Sequence, residues 1–545
     1  MLRTIWQFNP VQATIFGIHE YDYTLGDVSA DSFLGHAKTF GRLIGALQSE
    51  VDPSLLDAEQ RLDYYVASSL ASANFIFLEH QRPWVNNPSI YPFAAVWGCF
   101  GLLTHEFAPF EERLRSMLSR MREIPDMLAV SRDNISSPAS VFAQVAVEIV
   151  RGGLSFFRNV VPGIASRTPS LEPELLAASE AVISAFEDYE TWLRETVLPH
   201  ARGTFAAGHD TYEQLLRTEH YLSYTPADLV RLAAGVLRKA QEEIREVAAS
   251  IAPSLTWQEL VADLKRDHPP NDGLLDAYRR AVESTRQFVV DRGLVTIPEG
   301  ERLDVVETPE FERSTMPYAA CFPPPPFETS NTGFLWVTPV DARAPKPHQE
   351  AQLLGHCVHS IPIIALHEGY PGHHLQRTWA LSCPSALRKL AMNNLLTEGW
   401  ALYCEHLMHE EGFYTDPRVR LFQLKDVLWR ACRVTIDVGL HTAGMTFDEA
   451  VQMLVEEAHL EEINALAEVK RYAMSPTQPM TYVIGMLLIL DLRDRMKRKM
   501  GSDFDLRQFH DRLLSYGSIP PALIAERLLE QPTCEMSPVP QRRSA

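Results

Sequence analysis

The sequence is poor in positive charge. Fifty Lys and Arg residues stand against seventy Asp and Glu residues in 545, for a formal net charge of -20 at pH 7. A surface this acidic repels phosphate backbones and anionic lipid. We therefore expect neither nucleic acid nor a membrane among the partners of this protein.

Cysteine is also scarce, and the seven cysteines form no CxxC pair: Cys99, Cys321, Cys357, Cys383, Cys404, Cys432 and Cys534. An odd number without paired spacing indicates reduced thiols rather than a disulfide framework. The first ten residues lack the apolar core of a signal peptide. Apolar runs such as 480–490 are shorter than the roughly 20 residues that span a bilayer. The sequence therefore predicts a soluble, cytoplasmic protein.

Helical periodicity runs through most of the chain. Its clearest example follows Thr225, a helix-capping residue, with Pro226 at the first helical position and Asp228 in the first turn. Apolar residues then recur in steps of three and four up to Ile251, which predicts one buried face on a long helix. Similar patterns cover residues 110–127, 171–198, 274–290 and 419–440. The predicted fold class is mainly α.

Two regions interrupt the helices. Residues 294–297 and 303–308 are β-rich and flank Pro298-Glu299-Gly300, which predicts a hairpin. Residues 334–338 are a third strand candidate. Between them and the hairpin, residues 321–327, with prolines at 323–326, predict a stiff, non-helical loop that acts as a rigid spacer. We expect a two-lobed helical fold with a small antiparallel sheet beside the active-site helix. An N-terminal helical lobe covers 1–290 and a catalytic lobe covers 291–545, as parts of one continuous unit.

The most informative stretch is 361–376, IPIIALHEGYPGHHLQ. Imidazoles and a carboxylate next to a buried apolar run are costly unless they are paired or bind a cation. A hydrolytic zinc centre needs imidazole ligands, a carboxylate ligand, an open position for water and a nearby carboxylate base. His367 and Glu368 form a ligand-and-base pair of this kind.

The position of a second histidine ligand is open, because Pro371 stands where an HExxH motif has its second histidine. On a regular helix, at about 100° per residue, His374 returns to within roughly 20° of His367, whereas His373 lies about 120° away. However, Pro371-Gly372 is expected to break the helix, and such a distortion can bring His373 towards the metal. Both histidines remain candidates on geometry alone.

A carboxylate ligand is available downstream in a helical, largely apolar segment, 393–403. Glu398 is the candidate ligand in this segment. Glu405 lies seven residues later on nearly the same helical face and is positioned to support a ligand.

These motifs resemble those of the DUF885 proteins, a group related to the gluzincin metallopeptidases of the neurolysin and oligopeptidase type. The resemblance covers nearly the whole chain. It rests on five ordered segments: 9–22 at the start, 334–338 before the metal helix, 367–376 with the pattern HExxPGHH, 397–405 with EGW, and 471–520 near the end, which includes Arg471-Tyr472, SPTQ at 475–478, Tyr482 and Gly485.

The resemblance implies a single zinc ion and bears on its ligands. Related oligopeptidases place the second zinc histidine at an interval before the glutamate ligand that, counted back from Glu398, falls on His373. The implied ligands are therefore His367, His373 and Glu398. The terminal motif suggests Tyr482 and Gln478 as oxyanion donors, with Gln478 one helical turn before Tyr482 on the same face, and Arg471 as a contact for a substrate carboxylate.

The predicted function is zinc-dependent hydrolysis of peptide or amide bonds in short substrates, with Glu368 as the general base. One alternative keeps the metal on a small biosynthetic substrate, as a hydrolase, a lyase or a non-haem iron oxygenase, which also uses two histidines and one carboxylate. An oxygenase has no need of Glu368. A further alternative is a non-catalytic helical binding protein that retains the motif.

Overall fold

The computed structural model describes residues 1–309, 313, 318–341 and 344–530. The fold is mainly helical with one small sheet. Before the sheet, helices α1 to α15 span Leu2–Phe8, Pro10–Ile15, Ala30–Glu50, Ala58–Ile76, Pro83–Asn86, Ile90–Thr104, Phe110–Asn134, Ser140–Ser155, Val161–Ala165, Glu172–Trp192, Leu198–His200, His209–Thr218, Pro226–Ile251, Trp257–Leu264 and Leu274–Arg292. After it, helices α16 to α26 span Lys346–Leu353, Ile361–Glu368, His373–Leu381, Ala386–Leu390, Asn394–Glu410, Pro417–Val438, Phe447–Glu457, Glu462–Met474, Thr481–Met500, Leu506–Ser515 and Pro521–Glu530.

The capping prediction for the long helix α13 is confirmed. The Thr225 hydroxyl accepts the Asp228 N–H at 3.2 Å, and the Asp228 carboxylate accepts the Thr225 N–H at 2.9 Å. These two bonds satisfy N–H groups that have no partner within the helix. The predicted apolar face is buried at Leu229, Ala233, Ala240 and Ile244, and α13 packs along α21. The other four periodic segments also form helices.

The three strands are β1 (Arg302–Glu307), β2 (Ala319–Phe322) and β3 (Thr332–Val337). Their order in the sheet is β1-β3-β2, with β3 parallel to β1 and antiparallel to β2. The small predicted sheet is therefore present, but it is mixed rather than antiparallel.

The predicted hairpin is wrong because residues 294–297 do not form a strand. Side chains take the place of strand partners there. The Asp511 carboxylate accepts the Thr296 N–H at 2.8 Å and its hydroxyl at 2.6 Å. The His510 Nδ1 lies 2.7 Å from the Leu294 carbonyl oxygen. Leu294 and Val295 are buried in the main core instead.

The proline loop leaves β2 and is fixed to the N-terminal segment of the chain. The Phe327 N–H donates to the Phe16 carbonyl at 3.0 Å, and the Phe327 ring packs edge-on to Trp6. Within the residues that the structure describes, the prolines thus form a connection between β2 and the first helices, as expected for a rigid spacer.

The largest hydrophobic core surrounds α17, α18, α20 and α24 and also includes residues of α12, α13 and α15. A second core is built from α6 to α10 and reaches Trp336 of β3. The proposed lobe boundary near residue 290 stays a prediction.

One segment, Ser140–Ala165, is long and apolar enough to cross a membrane by length and composition, and 56% of its most apolar window is buried inside the protein. Val150, Phe156 and Phe157 of this segment are fully buried in the second core. The burial is that of a core helix, whose apolar residues pack against other helices.

In the described residues the cysteines form no disulfide. Cys99, Cys357, Cys383, Cys404 and Cys432 are buried, whereas Cys321 is partly buried. The remaining thiol, Cys534, lies outside the described residues. The expected free and mostly buried thiols are therefore found in the described part of the chain.

Helices α20 and α24 touch backbone to backbone next to the candidate site. A Cβ added to Gly485 would lie 2.0 Å from the Leu395 carbonyl oxygen, and one added to Gly399 would lie 2.5 Å from the Gly485 backbone. Only glycine permits this approach, and Gly399 is the neighbour of Glu398. The contact therefore sets the position of the Glu398 backbone.

We expect Gly485→Ala to lower the free energy of unfolding by about 1–3 kcal/mol, because the methyl group forces the two helices apart. Chemical denaturation followed by circular dichroism measures this change. Gly235→Ala, in α13 with no atom within 4 Å of the added Cβ, is the control. It should gain about 0.5–1 kcal/mol from its higher helix propensity. Equal stabilities for the two variants would contradict the proposed contact.

Candidate functional site

The site begins at a break between α17 and α18. The first helix ends at Glu368, and the second starts at His373. A Cβ on Gly372 would lie 1.9 Å from the His367 carbonyl oxygen, so only glycine fits the break. Trp400 of α20 fixes the break by donating its indole N–H to the Pro371 carbonyl at 2.8 Å. The expected distortion at Pro371-Gly372 is therefore present.

The break directs His373 towards His367. Their rings lie 4.8 Å apart at an interplanar angle of 90°. One Glu398 carboxylate oxygen, Oε2, lies 3.2 Å from His373 Nε2 and 3.9 Å from His367 Nε2. One potential ligand atom from each of His367, Glu368 and His373 lies within 4.8 Å of the others. The histidines and Glu398 come from three helices and converge on one small volume.

This arrangement fits a cation. Glu398 Oε2 and His373 Nδ1 are buried without a hydrogen-bond partner, and such groups are costly without compensation. Burial opposes ionisation of Glu398, but His373, His367 and Arg433 outweigh it and lower its pKa to about 2. The carboxylate is therefore charged. An ion bound by the Nε2 atoms of His367 and His373 and by this carboxylate would give Glu398 Oε2 the partner that hydrogen bonds do not supply.

His367 is oriented by a second carboxylate, Glu405. Its Nδ1 lies 2.8 Å from Glu405 Oε1, and the Glu405 side chain is completely buried. A hydrogen bond at Nδ1 leaves Nε2 free to face Glu398 and fixes the ring orientation that metal-binding histidines need. Glu405 therefore contacts a candidate ligand from the helical face that the sequence predicted.

The candidate base, Glu368, is held by the edge of the sheet. Its Oε2 accepts the backbone N–H of Cys321 in β2 at 2.9 Å. The strand β2 was absent from the sequence prediction, which placed residue 321 at the start of the proline loop. Because Cys321 contributes a backbone group, no side-chain pattern pointed to it.

His374, the alternative second histidine, faces away from this cluster. Its Nε2 lies 2.7 Å from Glu301 Oε2, which also accepts the Tyr370 hydroxyl at 2.5 Å. His374 and Glu301 are both buried, and Arg286 Nε lies 3.5 Å from Glu301 Oε1. His374 therefore belongs to a separate buried network with Glu301, Tyr370 and Arg286.

Tyr482, near the start of α24, lies beside the histidines. Its ring is 6.5 Å from that of His367 and nearly parallel to it, and the Arg433 guanidinium lies 4.4 Å from its centroid. Burial raises the pKa of Tyr482, so its hydroxyl stays protonated and able to donate. Arg433 was missed in the sequence, because its position in α21 belongs to no motif.

The two remaining candidate residues, Gln478 and Arg471, contact each other. Gln478 precedes α24 in a turn, so the expectation that it lies one helical turn before Tyr482 is wrong. The Thr477 backbone there has a positive φ of 69°, and its N–H is bound to Asp437. The Arg471 guanidinium donates to Gln478 Oε1 at 2.9 Å and to Glu468 at 2.8 Å.

Chemically, the site combines three potential ligands, a carboxylate base with a fixed orientation and a protonated phenol. The candidate ligands His367, His373 and Glu398 have 7%, 12% and 15% exposed side chains. These side chains are therefore recessed from the surface but not completely buried.

Two solved structures are similar to this protein over almost the entire chain. One from Shewanella oneidensis, described as a "putative lipoprotein of unknown function", is 26% identical with a TM-score of 0.80 and covers 97% of this chain and 98% of its own. One from Colwellia psychrerythraea, described as a "putative lipoprotein", is 20% identical with a TM-score of 0.81 and covers 96% of each chain. The second likeness shows the fold alone.

No curated protein matches the sequence. The family model described as "Bacterial protein of unknown function (DUF885)" matches residues 10–528. That range contains every residue of the site described above, from the break in the HExxPGHH segment to Tyr482. The chain therefore belongs to the DUF885 family.

Proposed function

We propose that this protein is a zinc-dependent hydrolase that cleaves a peptide or amide bond in short substrates. The observation that supports it most directly is the position of the unpartnered Glu398 oxygen between the Nε2 atoms of His367 and His373, beside Glu368. The same ligand set supports a relationship to the gluzincin metallopeptidases, which is part of this proposal.

His367, His373 and Glu398 would hold the zinc ion and leave one position for water or substrate. When bound, zinc lowers the pKa of a water molecule and polarises a carbonyl group. The two histidines and the charged Glu398 match the nitrogen and oxygen donors that zinc prefers.

The chain supplies the proton transfers. Glu368 takes a proton from the attacking water and then delivers it to the leaving amine. The Cys321 N–H occupies one oxygen of Glu368 and limits the rotation of the carboxylate. The Tyr482 hydroxyl donates a hydrogen bond to the developing oxyanion and keeps its proton, and burial, which raises its pKa, keeps the phenol neutral.

Glu368 favours hydrolysis over the iron-oxygenase alternative, since an oxygenase needs only the three ligands. An enzyme that carries out a different reaction on a small biosynthetic substrate would use the same three ligands. The identity of the bound metal and of the reaction products distinguishes this alternative from the hydrolase. A binding protein without chemistry has no use for a base held 2.9 Å from a strand N–H.

We also propose a cytoplasmic location. Support comes from the unpaired thiols in the described part of the chain, which suit a reducing compartment. Cell fractionation tests it, and recovery of the protein with the membrane fraction would contradict it.

The first prediction concerns the metal. Elemental analysis by inductively coupled plasma mass spectrometry should find about one zinc ion per chain in the purified protein. The variants His373→Asn and Glu398→Gln should each lose most of the zinc, because each removes a ligand. His374→Asn is the matched control on the adjacent position. It should keep its zinc while its unfolding temperature falls, because the buried Glu301 loses one of its hydrogen-bond partners.

If the zinc content depended on His374 and not on His373, the second zinc ligand would be His374 and our assignment of His373 would be wrong. Iron in place of zinc, together with oxygen consumption, would favour the oxygenase alternative.

The second prediction concerns the base. Glu368→Gln should retain zinc and lower kcat by roughly 10²–10⁴-fold, because the amide accepts no proton. Turnover of a short-peptide library, followed by mass spectrometry, measures the loss. Glu411→Gln, at the end of α20, is the control and should behave like the wild type. Full activity of zinc-loaded Glu368→Gln would exclude Glu368 as the base.

The third prediction concerns the phenol. Tyr482→Phe keeps the ring against Arg433 but removes the hydroxyl, so kcat should fall by roughly 10²–10³-fold with little change in unfolding temperature. A fall in stability with unchanged kcat would show that Tyr482 only packs.

A further inference from the structure

Arg377 is a cation at the candidate site that neither the sequence motifs nor the mechanism above uses. It lies one helical turn after His373 on α18, so both side chains project from the same face. This helix packs against β2, the strand that holds Glu368. Arg377 interacts electrostatically with Cys321, Glu398 and His373.

Arg377 differs from the other buried arginines in having no partner. Hydrogen bonds or ion pairs neutralise or satisfy the guanidinium groups of Arg113, Arg120, Arg388, Arg420, Arg433 and Arg493. The partly buried Arg377 makes no hydrogen bond or ion pair with any residue that the structure describes. Burial lowers the pKa of Arg377, and the negative charge of Glu398 opposes this shift only in part.

A recessed charge without a partner reduces the stability of the fold. A bidentate contact with an incoming carboxylate would satisfy it, since guanidinium and carboxylate match in shape and charge. The contrast with the protein as a whole is large, because the net charge is -20. An acidic surface thus surrounds a site with an unpaired positive group.

The position of Arg377 indicates which half of the substrate carries the carboxylate. Arg377 follows His373 by one helical turn on α18, and α18 packs against β2, whose Cys321 N–H binds Glu368, the group proposed to protonate the leaving amine. Arg433 packs against the Tyr482 ring, and Arg433 and Arg471 both donate to Glu468. Their charges are therefore partly compensated.

We propose that Arg377 binds a carboxylate on the leaving-amine half of the substrate, so that the protein releases an amino acid, or another carboxylated amine, from a short acyl or peptidyl chain. This inference rests on the proposed hydrolase function. In the reaction, the water oxygen joins the carbonyl carbon, the C–N bond breaks and the amine takes the proton. The products are the acyl half with a new carboxylate and an amine that carries the carboxylate bound by Arg377.

The first test compares turnover of two matched substrate sets by the zinc-loaded full chain. The sets are N-acetylated dipeptides that end in a free carboxylate and the same dipeptides that end in a carboxamide. The wild type should prefer the acids by roughly 10–100-fold in kcat/KM, the value of a charged bidentate contact. Arg377→Gln should reduce the ratio of kcat/KM for the acids to kcat/KM for the amides to about one, and Arg377→Lys should retain part of the ratio.

The second test measures binding without turnover. N-acetyl-leucine and N-acetyl-leucinamide are titrated calorimetrically into zinc-loaded Glu368→Gln. The acid should bind at least roughly 10-fold more tightly, and adding Arg377→Gln should abolish the difference. Arg238→Gln, an exposed position on α13, is the control and should change neither constant.

Stability separates recognition from a structural role. Because Arg377 has no partner to lose, Arg377→Gln should keep its zinc and unfold at the same or a higher temperature. A lower unfolding temperature together with loss of zinc would make Arg377 a structural residue and overturn the inference.

The outcomes also separate the inference from the proposed function. Cleavage by the wild type without preference for acids, or a preference removed by Arg471→Gln and not by Arg377→Gln, overturns the Arg377 assignment and leaves the hydrolase standing. No cleavage, but Arg377-dependent binding of N-acetyl-leucine, overturns the hydrolase and leaves the carboxylate site. Neither cleavage nor a binding difference overturns both.

Discussion

The candidate site depends on the interruption of one helix within the HExxPGHH segment. A continuous helix would turn His373 away from His367, whereas the break at Gly369–Gly372 brings their rings to 4.8 Å. The interruption requires glycine at 372, where a side chain would overlap the His367 carbonyl, and it is fixed by the hydrogen bond from Trp400. The EGW segment thus supplies both the Glu398 carboxylate and the residue that fixes the break.

The close contact of α20 with α24 extends this constraint. Gly399 and Gly485 let the two helix backbones meet, and these glycines lie next to Glu398 and close to Tyr482 along their helices. The ligand-bearing helix and the phenol-bearing helix are therefore positioned against each other by one contact. This contact brings the EGW segment and the segment around Tyr482, which are far apart in the chain, to the same site.

Charge is distributed unevenly around the site. The buried Glu405 orients the His367 imidazole and the partly buried Glu468 pairs with Arg433, while Arg377 has no such partner among the described residues. Buried polar groups in stable proteins are generally paired, so an unpaired one marks a place where stability has been given up for another purpose. Arg377, which has no hydrogen-bond or ion-pair partner among the described residues, lies one helical turn after the candidate ligand His373.

Periodicity and capping residues determined most of the helices, since Thr225 with Asp228 and the apolar steps that follow are local signals. The same local reading misplaced the sheet. Residues 294–297 have the composition of a strand, yet Asp511 and His510 from a distant helix take their hydrogen bonds. The parallel pairing of β1 with β3 likewise depends on segments about thirty residues apart.

By itself, the sequence determined the helical class, the family motifs and the residues able to bind a metal, because these follow from residue type and short spacing. It left His373 and His374 as equal candidates on helix geometry, placed Gln478 on a helix that begins later, and gave no sign of Arg433, Arg377 or the Cys321 N–H. Only the tertiary structure decided which side chains meet, because those contacts join helices and a strand that are separated in the chain and are fixed by packing.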